Sequence, residues 1–205
     1  LVISDIDTLK TLNKREIVCG YGEILKHSII SKKKFFKYLD QNFDDVIKLK
    51  SPYIEKAIFE SCKIKKKVIE KDENERNLRK ILNFGHTFGH AFEATIGYKK
   101  KLNHGEAVLL GMFTALRFSY DYKILKKNEF FSIMNHYRNS ILPHDLKKYF
   151  SLKHLNKIIF YMLKDKKNYS NKISLVLLKK IGFPLINKTY NKNRLKVFLK
   201  KELIN

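Results

Sequence analysis

Apolar residues recur at helical spacing through nearly the whole chain, and this pattern restricts the fold to a mainly α class. The spacing predicts helices over 13–30, 35–50, 51–70, 75–97, 103–122, 128–140, 151–167 and 192–204. Asn13 is a typical N-cap, Ser51 before Pro52 is a typical helix start, and Gly97 is a typical helix end. The opening "LVISDIDTL" predicts a short strand and turn, and the stretch 172–186 predicts a strand or a small hairpin.

The stretch "LNFGHTFGHAFE", residues 82–93, concentrates histidine and glycine. If 75–96 is one α-helix, six polar side chains share a narrow stripe on it, since each residue advances about 100°. These are Glu75, Arg79, Asn83, His86, His90 and Glu93. The other faces carry Phe and Ile and must be buried, while Gly85 and Gly89 indicate close approach of another backbone. We therefore expect the stripe to face an interior cleft rather than solvent.

Histidines four residues apart on a helix can share a divalent ion. The zinc-protease pattern also needs Glu directly after the first histidine, and Thr87 stands there instead. That pattern is therefore excluded, while metal ligand, acid–base group and surface residue all stay open for His86 and His90. A catalytic zinc site commonly takes three protein ligands, so the missing ones must come from other helices.

Two other segments supply candidates. In "GYGEILKHSII", Glu23 and Lys26 lie on one helical face with apolar flanks, which fits either a surface pair or a partly buried one. In "NHGEAV", His104 begins a helix, where the helix dipole favours the neutral imidazole that binds metal. The alternative for His104 is an exposed cap residue. Glu93, one turn after His90, fits either a group that orients a ligating histidine or a solvated carboxylate.

The net charge of +23 raises the possibility of nucleic-acid binding. However, most of the 43 basic residues are lysines spread along the chain, without the arginine fork or the motif that phosphate recognition usually shows. No apolar run reaches the roughly 18 residues of a membrane span. Cys19 and Cys62 form no CxxC pattern, which favours a reduced, cytoplasmic setting.

Five segments follow in an order and spacing that resemble the 3-dehydroquinate synthase family. They are KRE…GYGEILKHSII, CKIK, DENERNLRKILNFGHTFGHAFEA, HGEAVLLGM and MLKDKK…LVLLKKIG. The resemblance runs through essentially the whole chain. It implies a multi-helical C-terminal domain at 14–205 with the dehydroquinate synthase-like fold. It further implies that residues 1–13 are the exit strand and linker from a nucleotide-binding half that has no counterpart here.

The resemblance also implies roles for individual residues. Glu23, His86 and His104 match ligands of one divalent metal ion, zinc or cobalt. The other polar groups match positions around the substrate: Lys65 and Arg79 at its carboxylate, Asn83, His90 and either Lys166 or Lys167 at its phosphate, and Lys26, Glu75 and His90 in catalysis.

The implied reaction belongs to the shikimate pathway of aromatic amino acid and chorismate biosynthesis. It converts 3-deoxy-arabino-heptulosonate 7-phosphate to 3-dehydroquinate and phosphate, which makes the enzyme a carbon–oxygen lyase. NAD would accept and return a hydride, and the metal ion would polarise substrate oxygens. The resemblance further implies a cytoplasmic homodimer without nucleic-acid or membrane partners.

Three alternatives remain open. A related sugar-phosphate cyclase would use the same metal and NAD on another sugar, although Lys65 with Arg79 favours a carboxylated substrate. A metal-dependent polyol dehydrogenase of related fold would typically carry Asp where Glu23 stands. A basic helical nucleic-acid-binding module would make the histidines structural. We also expect the 205-residue chain to be inactive by itself, because one wall of the NAD pocket would come from the missing half.

Overall fold

The computed structural model describes residues 5–97, 101–164 and 172–204. Within these ranges the chain forms nine α-helices and one two-stranded antiparallel sheet. They are α1 (Lys14–Ser31), α2 (Lys33–Gln41), α3 (Phe43–Ile47), α4 (Tyr53–Lys71), α5 (His86–Ile96), α6 (His104–Asp121), α7 (Lys127–Arg138), α8 (Leu155–Lys164), β1 (Lys172–Lys180), β2 (Phe183–Asn191) and α9 (Lys192–Ile204). Short 3-10 helices cover Ile6–Thr11, Leu78–Asn83, Leu146–Lys148 and Leu152–His154. The predicted mainly α class with a hairpin is confirmed.

Helix α6 lies at the centre of the core. Its residues 107–116 are all buried, as expected for a helix that is apolar on every side. Helices α1, α5 and α7 and strand β1 pack around it. The Leu178 amide of β1 donates to the Ser119 hydroxyl of α6 at 3.2 Å. No helix among the described residues is both long enough and apolar enough to cross a bilayer.

Asparagine caps define the starts of the two helices that flank the candidate site. Asn13 accepts from the Glu16 amide and Glu16 accepts from the Asn13 amide, so α1 begins with a capping box. Asn103 and Glu106 form the same arrangement at the start of α6. Both helix starts were predicted from the sequence, because a capping box is a local pattern of four residues.

The start of α4 differs from the prediction. The Ser51 side chain makes no capping bond; α4 begins at Tyr53, and the Lys50 carbonyl accepts from the amides of Tyr53 and Ile54. The single helix predicted over 35–50 is two helices, because the chain turns at Asn42. There the Asn42 backbone and side-chain amides both donate to the Tyr38 carbonyl.

The two predicted strand regions have different outcomes. Residues 1–4 lie outside the described residues, and the rest of the predicted opening strand and turn is the 3-10 helix Ile6–Thr11, capped by the Asp5 side chain. The predicted hairpin near 172–186 is present and extends to Asn191. Gly182 turns the chain between its strands with a left-handed φ of 81°.

The single helix predicted over 75–97 is wrong. Leu78–Asn83 form a 3-10 helix, the chain then turns at Gly85 with φ of 82°, and α5 begins at His86. A left-handed residue cannot continue a right-handed helix, so the six polar side chains do not form one stripe. They fall into two groups, one before and one after the turn.

Candidate metal centre

Three imidazoles converge at one end of the bundle. His86 and His90 lie on the first turns of α5, and His104 is the first residue of α6. One ring nitrogen from each of the three lies within 4.8 Å of the other two. The ring centroids of His86 and His90 are 5.3 Å apart, and those of His90 and His104 are 5.7 Å apart. Among the described residues, this is a group of donors that can hold a metal ion.

Acceptors behind two of these rings orient them. The Glu93 carboxylate lies 3.0 Å from Nδ1 of His104, and the Phe84 carbonyl lies 3.3 Å from Nδ1 of His86. Because both acceptors require a proton on Nδ1, Nε2 of each ring is left with its lone pair, which is the metal-binding form. The Glu93 side chain is only 16% exposed. The structure therefore favours the orienting role for Glu93 over a solvated carboxylate.

Close backbone contact fixes α5 against α6. A Cβ atom on Gly89 would lie 2.9 Å from the Ala107 carbonyl oxygen, and one on Gly85 would lie 2.6 Å from the Met112 amide nitrogen. The predicted approach of another backbone to Gly85 and Gly89 is confirmed. This contact brings the histidines of α5 beside His104.

Helix α1 adds a charged pair next to the imidazoles. The Lys26 ammonium donates to both carboxylate oxygens of Glu23 at 2.7 and 2.8 Å. The Lys26 side chain is 3% exposed and the Glu23 side chain 46% exposed, so the pair is partly buried rather than a surface pair. The charge of Glu23 opposes the lowering of the His86 pKa. The predicted ligand Glu23 is not in the group of three histidines whose donor atoms lie within 4.8 Å of one another.

Burial controls the ionisation of this cluster. It lowers the pKa of His86 to about 3, with the Lys26 charge adding to the effect, so His86 is neutral at physiological pH. Burial also lowers the pKa of Lys26, and the Glu23 carboxylate partly offsets it. Burial alone would raise the pKa of Glu23, but the charge and hydrogen bonds of Lys26 hold it below its ordinary value. A neutral imidazole and a carboxylate are the forms that bind a divalent ion.

The remaining predicted site residues lie in the segment before α5 and on α4. Asn83 donates its side-chain amide to Glu75 at 2.6 Å. The Arg79 guanidinium donates to the Glu73 carbonyl at 2.5 Å. Lys65 is exposed on α4, and its charge adds to the effect of burial in lowering the pKa of Lys26. Lys166 and Lys167 lie outside the described residues.

Asp72 organises this segment and was not among the predicted site residues. Its carboxylate accepts from the backbone amides of Arg76, Asn77 and Arg79 at 2.9, 2.8 and 2.9 Å. These hydrogen bonds lower the pKa of Asp72. An aspartate directly after a predicted helix and before a polar loop is typical of such a role, and this signal was available.

The donor set fits a borderline divalent cation. Imidazole nitrogens with one carboxylate suit zinc and cobalt, whereas calcium and magnesium prefer oxygen ligands only. His86, His90 and His104 supply the nitrogens, and the predicted carboxylate ligand, Glu23, lies outside this group of three.

Solved structures share this arrangement of elements. A 2-epi-5-epi-valiolone synthase from Streptomyces hygroscopicus subsp. jinggangensis 5008, with NAD+ and Zn2+ bound, matches 97% of this chain and 54% of its own, with a TM-score of 0.80 and 19% identity. A 2-deoxy-scyllo-inosose synthase complexed with carbaglucose-6-phosphate, NAD+ and Co2+ matches 96% of this chain and 54% of its own, with a TM-score of 0.77 and 20% identity. The chain therefore has the dehydroquinate synthase-like fold.

The family itself follows from sequence comparison. The model for the 3-dehydroquinate synthase C-terminal region matches residues 20–168, and the chain belongs to this family. The 3-dehydroquinate synthase of Pelagibacter ubique (strain HTCC1062) is 60% identical over 203 residues, which are 99% of this chain and 55% of that protein. The 3-dehydroquinate synthase of Dictyoglomus thermophilum is 40% identical over 192 residues, which are 88% of this chain and 49% of that protein. The chain spans about half the length of these curated relatives.

Proposed function

We propose that the chain is the metal- and substrate-binding half of a 3-dehydroquinate synthase, a phosphate-eliminating lyase. Its substrate would be 3-deoxy-arabino-heptulosonate 7-phosphate and its products 3-dehydroquinate and phosphate. The observation that carries this proposal is the convergence of His86, His90 and His104 beside the Glu23–Lys26 pair in a chain of this family.

Within this proposal, Glu23, His86 and His104 hold the metal ion and His90 faces the substrate phosphate. His86 and His104 have their Nδ1 atoms engaged by Phe84 and Glu93, which leaves Nε2 of each for the ion. Lys26 keeps Glu23 ionised, since its two hydrogen bonds favour the carboxylate. When bound, NAD would accept and return a hydride, and zinc or cobalt would polarise substrate oxygens.

The cationic and amide groups around the imidazoles match the two charged ends of the substrate. Lys65 and Arg79 would bind its carboxylate, and Asn83, His90 and Lys166 or Lys167 would bind its phosphate. Glu75 accepts one amide hydrogen of Asn83 and so fixes the direction of the other. Lys26, Glu75 and His90 are the proposed catalytic groups, because each can ionise and each matches an active-site position of the family.

Cobalt titration tests the ligand assignment. Co2+ added to the wild-type chain should give the intense visible bands of a low-symmetry site, with one ion per chain. His86→Ala and Glu23→Gln should abolish tight binding, whereas His90→Ala should retain it, because His90 is assigned to the substrate. Loss of binding in His90→Ala with retention in Glu23→Gln would instead assign the three imidazoles as the ligands.

A chimera tests the reaction. The chain is fused behind the first half of the Pelagibacter ubique synthase, which is 60% identical to it over the shared region. With NAD and Zn2+, the chimera should release phosphate and form 3-dehydroquinate, and His86→Ala in the same chimera should not. The 205-residue chain alone should form none. Turnover of glucose 6-phosphate but not of the carboxylated substrate would favour a related sugar-phosphate cyclase instead.

We further propose a homodimer in the cytoplasm. The two described cysteines, Cys19 and Cys62, are free thiols, which fits a reducing compartment. Light scattering of the purified chimera, compared with the mass of one chain, tests the dimer.

A further inference from the structure

A network of hydrogen bonds joins the start of α1 to the start of α6, and the metal-site proposal does not use it. Arg15, the second residue of α1, donates its Nε to Glu106 at 2.6 Å, and a second nitrogen of the guanidinium contacts the other carboxylate oxygen. The pair is therefore bidentate, the strongest form of an arginine–carboxylate contact. The Glu106 side chain is only 13% exposed.

Glu106 also completes the capping box of α6, whose N-cap is Asn103. It accepts from the Asn103 amide at 3.0 Å, and Asn103 accepts from the Glu106 amide at 3.0 Å. The Asn103 side chain additionally accepts from the Cys19 thiol of α1 at 3.0 Å. Arg15 thus binds the same carboxylate that holds the first turn of α6 together, and His104 lies inside that turn.

The two helices are in backbone contact at this point. A Cβ atom on Gly105 would lie 2.8 Å from Cα of Cys19. The turn that carries His104 is therefore held against α1 from both sides of the histidine, by Asn103 and Glu106 through hydrogen bonds and by Gly105 through packing. Glu23 lies eight residues after Arg15 on the same helix, about 12 Å along its axis.

We propose that Arg15 is a positioning residue, which fixes the first turn of α6 on α1 and so sets the distance between His104 and Glu23 for metal binding. The inference rests on the proposed function, because it takes these two side chains as ligands of one ion. Arg15 itself contacts neither the ion nor the substrate in this assignment; it acts through Glu106.

The chain contains a matched control on the same helix. Arg117, near the other end of α6, makes a bidentate pair with Glu202 of α9. Its Nε contacts one carboxylate oxygen of Glu202, and a second guanidinium nitrogen donates to the other at 2.9 Å. The Arg117 and Glu202 side chains are 31% and 5% exposed. The Arg15 and Glu106 side chains are similar, at 40% and 13%. Arg117 lies about 20 Å along the helix from His104. Losing either pair should affect stability similarly, but only loss of the Arg15 pair should affect the metal site.

The test is the affinity for Co2+ of purified chains, followed by visible absorption and by competition with a chelator. Arg15→Gln should lower the affinity by about 10- to 100-fold, the usual effect of removing a group that orients a ligand. Arg117→Gln should leave it within about two-fold. Glu106→Gln keeps the capping box, since Gln also serves there, and it should lower the affinity as Arg15→Gln does. The double variant should lose no more than either single one.

Each outcome has a defined meaning. Wild-type affinity in Arg15→Gln, or equal losses in Arg15→Gln and Arg117→Gln, would overturn the positioning role while the metal site stands. Absence of cobalt binding by the wild-type chain would overturn the proposed metal site as well. If Arg15→Gln loses its helical circular dichroism, Arg15→Lys replaces it; Lys keeps the charge without the fork, so a several-fold loss of affinity supports the proposal and wild-type affinity overturns it.

Discussion

His27 of α1 is buried in the core four residues after the metal-ligand candidate Glu23, and its Nδ1 lies 2.7 Å from the Ser61 hydroxyl. Burial lowers its pKa to about 4, and the Lys26 charge adds to the effect. In the unfolded chain the pKa is about 6.5. As pH falls below 6.5 the unfolded state therefore binds a proton before the folded state does. The stability that neutral His27 contributes is complete above pH 6.5 and is lost as pH falls towards 4.

We predict that His27→Gln flattens the pH dependence of stability between pH 6.5 and 4. The lost contribution is on the order of 3 kcal/mol across this range. Urea unfolding at half-unit pH steps, with EDTA present to remove metal, measures it. The slope of the free energy of unfolding against pH should fall by about one proton relative to the wild type. The slope that remains comes from other buried histidines such as His136, whose pKa burial also lowers. An unchanged slope would contradict the assignment to His27.

Glu93 offers a second test at the same scale. Its carboxylate is 3.0 Å from Nδ1 of His104, so Glu93→Gln removes the charge that stabilises the Nδ1–H tautomer and should weaken Co2+ binding by about 10-fold or more. Glu70→Gln is the control, because Glu70 is 60% exposed and its pair with Lys66 is a surface pair on α4. Equal affinities for the two variants would show that Glu93 does not act on the site.

Between elements, the contact of α5 with α6 depends on residues that have no side chain. A Cβ atom on Gly111 would lie 2.6 Å from the Gly89 amide nitrogen and would also contact the Gly85 carbonyl oxygen. These are backbone atoms, so Gly111→Ala forces the helices apart rather than displacing a flexible side chain. Gly20 of α1 has no heavy atom within 4 Å of the corresponding position.

We therefore predict opposite effects for the same substitution. Gly111→Ala should destabilise the fold by about 1–3 kcal/mol or more, because overpacking strains a close contact. It should also weaken metal binding, since α5 carries His86 and His90 and α6 carries His104. Gly20→Ala should raise stability by up to about 1 kcal/mol through helix propensity. The urea concentration at the midpoint of unfolding, measured for both variants and the wild type, tests this prediction. A wild-type midpoint for Gly111→Ala would contradict the packing argument.

The elements that could be predicted from the sequence are those specified by local residues. The starts of α1 and α6 follow from the Asn13 and Asn103 capping boxes, which need four consecutive residues each. The break at Gly85 could not be predicted this way. Its left-handed φ is compatible with several local patterns, and the contact that requires a glycine there comes from Met112, on another helix.

For the whole molecule, the local sequence indicates which types of residue form the site, whereas their positions depend on contacts between distant segments. Histidine spacing indicated that a metal ion could be shared, but it left the partners of His86 and His90 open. The answer depends on how α6 packs on α5, which brings His104 to within 4.8 Å of both through a contact between distant parts of the chain. The role of Glu93 was open for the same reason. Lys166 and Lys167 stay predictions.

The proposed metal ion, held by α1, α5 and α6, should stabilise the molecule as a unit, because it would bind the folded chain and join three elements that separate on unfolding. At a free concentration 100 times its dissociation constant, one ion adds about 2.7 kcal/mol. For a chain of this size that corresponds to a rise in Tm of roughly 5–10 °C. Thermal unfolding with Zn2+ and with EDTA measures the difference. His86→Ala should remove the shift, whereas His154→Ala, on the 3-10 helix Leu152–His154, should keep it. A shift that survives His86→Ala would place the stabilising ion elsewhere on the chain.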